Sequence, residues 1–197
     1  MLMHLDLGPV ADKMAQVVAG IDDAQLSNPT PCTGSDVATM LTHVQGLSIA
    51  FRDAARKVEG PTTSTPPQAS RDGLSPGWRE EIPALLTELA EAWREPEAWQ
   101  GETMAGGLTM PATETGSVVN DELVLHAWDL ARATGQPYDV AAANLEASWQ
   151  FVSNTPDEPE ARGGLFGPRL PIAEDAPLLD RTLAYAGRDP NWKARAT

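Results

Sequence analysis

A chain of 197 residues, 42% of them hydrophobic, can bury a core as one domain and is not polar enough to be disordered. Its net charge of −14 argues against nucleic acid and anionic lipid as partners, and no apolar run approaches the ~20 residues that span a bilayer. The one cysteine, Cys32, excludes an internal disulfide framework, and MLMHLDLGPV shows no basic segment ahead of a long apolar stretch, so the expected location is the cytoplasm.

In chain order, residues 9–20 place Val10, Met14, Val17 and Val18 on one helical face, with Pro9 where a missing N–H costs least. Asp22 or Asp23 would cap a short turn carrying Leu26, and SNPTPCTG (27–34) forbids helix. A second helix is expected from Ser35, as its N-cap, to about Lys57. Val37, Met40, Leu41, Val44, Leu47 and Phe51 follow its apolar stripe. Residues 59–77, rich in Pro, Ser, Thr and Gly, read as a mobile connection.

A third helix should cover Trp78 to Trp93, with Ile82, Leu85, Leu86 and Leu89 in register and Pro83 in its first turns. The glycine-rich stretch 100–111 is irregular, with room for a short hairpin. A fourth helix runs from Ala112 to Thr134, stopped by Gly135 with Pro137 beyond. A fifth covers Val140 to Ser153, 155–170 is loop, and Pro177 to Tyr185 forms a last short helix. Strand-like alternation is almost absent. The predicted fold is all-α, an antiparallel four-helix bundle with extra short helices. Residues 1–154 would form the bundle, and 155–197 a loop-rich extension packed on it within the same domain.

Of the three histidines, His43 and His126 fall within predicted core helices. Glu122 and His126 are spaced i, i+4, which puts an imidazole and a carboxylate one turn apart on one face. A divalent ion bridges such a gap at ~2.0–2.2 Å per ligand. His43 shares its helix face with Met40, Val44 and Leu47, and would supply a third ligand if the second and fourth helices are neighbours. Two histidines and a glutamate leave coordination positions open, as in catalytic zinc sites. The same spacing also occurs in solvated surface pairs, and a histidine on an apolar face also occurs as a buried, hydrogen-bonded imidazole.

Asp129 lies on the stripe of Glu122 and His126. It would orient a histidine through the second ring nitrogen, serve as a general base, or pair with Arg132 at i+3. Trp128 reads as core packing. Cys32 precedes a helix N-terminus that would lower its pKa, which admits a nucleophile. Because Ser35 to His43 spans about 12 Å of helix, Cys32 is expected out of reach of the ion and to serve packing. His4 is expected to have no role.

PTPC (29–32) before a helix bearing LTHV (41–44), ELVLHAWDLARATG (122–135) and the ending GGLFGPRLPIAEDAPLLDRTLAYAGRDPNW (163–192) carry a resemblance over nearly the whole chain. They resemble the DinB-like, mycothiol-dependent maleylpyruvate isomerase N-terminal family, in its small single-domain form. The resemblance implies a four-helix bundle holding a divalent ion, zinc or else nickel, iron or manganese, through His43, Glu122 and His126. It further implies mycothiol as co-substrate for isomerisation or S-transfer on a small molecule. The family commonly carries Pro-Asp-Trp after the PTPC cysteine, where this chain has Thr33, Gly34 and Ser35. The chain is also expected to lack the isomerase's long C-terminal domain, so maleylpyruvate itself is not implied as substrate. A metal-dependent thiol transferase or isomerase is the leading expectation, with a small-molecule partner and, as an option, a second copy of the chain. The alternatives are a non-catalytic, stress-related metal-binding bundle and a specialised-metabolism enzyme on the same scaffold.

Overall fold

A computed structural model describes residues 4–162 and 165–194. The chain opens with α1 (Gly8–Ala19), whose Val10, Met14, Val17 and Val18 are buried as their spacing predicts. A single 3₁₀ turn, Asp23–Gln25, follows, with the Asp22 amide donating to the Gln25 side chain. Helix α2 is Val37–Ala55. Its cap is Asp36 rather than Ser35: the Asp36 carboxylate accepts from the Thr39 amide at 2.8 Å and is tied to Arg71.

The connection to the next long helix is more ordered than its composition suggests. It holds a one-turn helix, α3 (Pro61–Ser64), and a 3₁₀ turn, Arg71–Gly73. Both are anchored to α2, by Thr62 donating to Asp53 and Thr42 donating to the Ser70 carbonyl. Helix α4 (Trp78–Arg94) then leads to a two-stranded hairpin, β1 (Glu102–Ala105) and β2 (Leu108–Pro111). Its two-residue loop, Gly106–Gly107, has positive φ at both positions, 59° and 81°, as such tight hairpins require. Helix α5 (Ala112–Thr134) ends on Gly135 in the left-handed conformation. After it come α6 (Ala142–Asn154), the one-turn α7 (Pro159–Arg162) and α8 (Leu178–Tyr185).

The fold is all-α apart from the hairpin, and its core is a four-helix bundle of α1, α2, α4 and α5. Side-chain bonds fix the helix directions. Arg79, at the start of α4, reaches Ile21 and Asp23 beyond the end of α1, while Arg94, at the end of α4, faces Asp6 before its start. These two helices are therefore antiparallel. Gln45 meets Glu81 and Arg52 meets Glu88, so α4 runs parallel to α2, which the long connection 56–77 makes feasible. Helix α5 runs against α2 and alongside α1. The chain direction is thus up-down-down-up.

A second, smaller apolar cluster joins Leu125 and Trp128 of α5 to Val152 of α6 and Leu183 of α8. With the main core on one side and this cluster on the other, α5 is buried nearly all round. Any polar side chain on it must therefore find a partner inside the protein.

Candidate metal centre

Helix α5 carries buried polar groups where an ordinary bundle helix would carry leucine. Asn120 donates to the Asn144 carbonyl and accepts from its amide, both at 2.9 Å. Asp121 accepts from the Ser148 hydroxyl; burial lifts its pKa to about 7 despite that bond. From the next residue on, the antiparallel pairing of α2 and α5 brings His43 to Glu122 and His126. His126 Nε2 lies 2.9 Å from Glu122 Oε2, and His43 Nε2 lies 3.7 Å from the same oxygen. The two imidazole rings meet edge to face at 5.0 Å.

One donor atom from each of these three residues lies within 4.8 Å of the others. Donors about 3.4 Å apart suit a tetrahedral ion at ~2.1 Å. The donor set therefore fits a divalent cation with small side-chain adjustments.

His126 is held from both sides, its Nδ1 facing Asp129 Oδ2 at 3.0 Å. Asp129 is fully buried and is clamped in turn by Arg188, whose Nη2 and Nε donate to its oxygens at 2.9 and 3.1 Å. Burial alone would raise the Asp129 pKa, but the Arg188 charge and the His126 hydrogen bond outweigh it and keep the carboxylate ionised. For Glu122, burial is likewise outweighed by the two histidines, which hold it well below the usual carboxylate range. Burial disfavours the His126 cation, yet the two carboxylates prevail and raise its pKa to about 9.

The arrangement brings together His43, Glu122, His126 and Asp129, the four residues singled out in sequence. Asp129 pairs with Arg188 and not with Arg132, whose guanidinium donates to the Trp192 carbonyl. Trp128 is buried in the smaller core. His4 stacks flat on Trp99 at 5.1 Å, far in role from the site.

Cys32 packs against the main core, as expected, and the group of converging donors does not include it. It lines a cleft of about 510 Å³ together with Thr33, His43, Glu122, His126 and Arg188. The loop before α2 doubles back, with Thr30 donating to the carbonyls of Cys32 and Ser35, so the helical path length does not measure the distance to the ion site. Nor does a helix terminus activate the thiol. Helix α2 starts five residues later, and burial, then the Asp129 charge, raises the Cys32 pKa.

Arg188 is the functional candidate that sequence reasoning missed. It lies 59 residues from Asp129 in a tail with no periodicity, and no local pattern links the two. The burial of α5 on both faces is the one signal that asks for such a cation.

A family model, the mycothiol maleylpyruvate isomerase N-terminal domain, matches residues 7–131. The chain belongs to that family. The matched span runs from α1 to α5 and includes His43, Glu122, His126 and Asp129, while Arg188 falls outside it. Two uncharacterized proteins of Mycobacterium tuberculosis, from strains CDC 1551 and H37Rv, are each 28% identical over 189 residues, covering 90% of this chain and 92% of theirs.

Among solved structures, the mycothiol-dependent maleylpyruvate isomerase superposes with a TM-score of 0.59 at 20% identity, over 92% of this chain and 86% of that one. A mutant of the same enzyme matches with a TM-score of 0.51 at 20% identity, over 77% and 73%. These likenesses show a common fold. No helix among the described residues is long and apolar enough to cross a membrane.

Proposed function

We propose that this family member is a divalent-metal-dependent enzyme that uses a low-molecular-weight thiol of the mycothiol type to transfer sulfur to, or isomerise, a small molecule. One observation carries the reading. Two imidazoles and a carboxylate from two helices converge beside a cleft wide enough for a ligand, with His43 and Glu122 partly exposed to it. That openness favours catalysis over a structural ion, whose ligands would close around it.

His43, Glu122 and His126 would hold the ion, zinc by this proposal, since two histidines and a glutamate with an open position form a catalytic zinc donor set. When bound, it would stabilise a thiolate at neutral pH. Asp129 fixes the His126 ring through Nδ1 and so aims Nε2 at the site. Arg188 keeps Asp129 ionised for that task. Because Arg188 reaches Asp129 from residues 155–197, that extension is proposed to form one domain with the bundle of residues 1–154. A cytoplasmic location, where such thiols are kept reduced, is part of the same proposal.

Elemental analysis of purified protein, followed by calorimetric titration with mycothiol, tests the reading. The expected result is one equivalent of metal, thiol binding that needs it, and loss of both in His126→Ala. Metal-free protein from zinc-supplemented cells, or thiol binding indifferent to metal, would overturn it.

A further inference from the structure

Sharing His43 and Glu122 with the cleft that holds Cys32 and Arg188 is a second chamber of about 300 Å³. We infer that this chamber seats an uncharged, apolar electrophile, the second substrate of the reaction; the inference rests on the thiol-dependent reading above. Its walls come from four parts of the fold: Leu47 and Phe51 of α2, Pro67 of the connection, Met110 of β2 and Val118 of α5. No lysine or arginine lines it. Its polar groups are His43, Glu122 and Thr115, and the Thr115 hydroxyl is turned to the Pro111 carbonyl of its own helix start.

This lining decides the charge of the occupant. A carboxylate placed among Leu47, Phe51, Pro67 and Val118 would shed its water with no lysine or arginine to replace it. The one buried guanidinium nearby, Arg188, opens on the other cleft and is committed to Asp129. The rim points the same way. Leu108 at the hairpin tip and Leu165 are 65% and 56% exposed, two of three such large apolar side chains among the described residues, and both border this chamber. Isolated exposed leucines are ordinary; two lining one apolar chamber mark it as a place for an apolar molecule to enter.

The two cavities share His43, Glu122 and Leu165 and no other lining residue. A polar thiol entering by one and an apolar electrophile by the other would therefore meet at the donor set. For an α,β-unsaturated carbonyl compound the step balances without a redox partner. The thiol loses its proton, sulfur bonds to the β-carbon, and the displaced π pair takes a proton at the α-carbon. Nothing leaves.

The test uses the full-length protein and a neutral fluorescent probe, N-phenyl-1-naphthylamine, displaced by methyl cinnamate or by cinnamate, a pair matched in shape and differing in charge. Methyl cinnamate should displace the probe at least about tenfold more tightly than cinnamate, as an unpaired charge in an apolar site demands. Val118→Trp, which fills the chamber, should weaken the probe by about tenfold. Leu108→Glu, at an exposed position where folding is not at stake, should weaken it by about threefold. Cinnamate binding as tightly as its ester, or both variants binding the probe like the parent, would overturn the assignment. These measurements need neither metal nor thiol. Failure of the thiol reading shows separately, as a parent protein that binds no metal or no mycothiol.

Discussion

Asp129 holds the site together by serving two cations at once. Its Oδ2 meets both the His126 ring and the Arg188 guanidinium, and its other oxygen is taken by Arg188 Nε. Removing either charge leaves the other buried without its partner, which costs about 3–5 kcal/mol at such sites. Asp129→Asn and Arg188→Met should each destabilise by that order, and the double variant by clearly less than the sum. Chemical denaturation of all four proteins measures the coupling; strictly additive effects would mean that the pair does not act as a unit. Asp129→Asn should also weaken zinc about 10–100-fold in a competition titration, since the His126 ring loses its charged support. His43 makes a useful contrast. Its side chain is partly exposed and bonded only loosely to Glu122, so His43→Ala should lose metal affinity with little change in stability.

At the scale of elements, the long helices were written in apolar periodicity. The α5 bounds, Ala112 and Thr134, follow from Pro111, the apolar stripe and the αL glycine after it. The donor set was equally readable, because i, i+4 spacing on one amphipathic helix and a lone histidine on another need only adjacency to converge. What could not be read depends on partners distant in sequence. Ser35 and Asp36 are equal N-cap candidates by residue type, and Arg71, 35 residues away, belongs with Asp36. The order in the connection comes from Asp53 and from the Ser70 carbonyl meeting Thr42, neither visible in a Pro/Ser/Thr-rich stretch. The cleft that Cys32 lines was not legible, because chain distance along a helix says nothing about a loop folded back on itself. The capping assignment is directly testable. Asp36→Ala should cost about 1 kcal/mol and Ser35→Ala close to nothing, because the Ser35 hydroxyl donates only to the neighbouring Asp36 carbonyl. Equal losses in thermal unfolding would return the cap to Ser35.

For the whole molecule, the buried charges make stability depend on pH, with opposite sign in the metal-free and metal-loaded protein. Without metal, folding raises the His126 pKa from its ordinary 6.5 to about 9. The folded state then holds a proton that the unfolded chain releases. The resulting stabilisation is complete below pH 6.5 and disappears as pH rises through about 9, a change on the order of 3 kcal/mol. Glu122 and Asp129 shift downward, so their contribution is present above pH ~4.5 and is lost in acid. Asp121 shifts the other way, to about 7, so the proton it keeps in the folded state stabilises below pH ~4 and that contribution is lost as pH rises to about 7. Metal-free protein should therefore be most stable near pH ~4.5. An ion on His126 Nε2 competes with that proton, so its apparent affinity should climb with pH up to about 9, and its stabilisation should climb with it. In calorimetric scans at fixed ionic strength, melting temperature should fall from pH 6.5 to 9 in chelator by several degrees, at about 2–4 °C per kcal/mol. In excess zinc it should hold or rise over the same range. Parallel profiles with and without zinc would mean that the ion does not displace the His126 proton, and would place it away from α5.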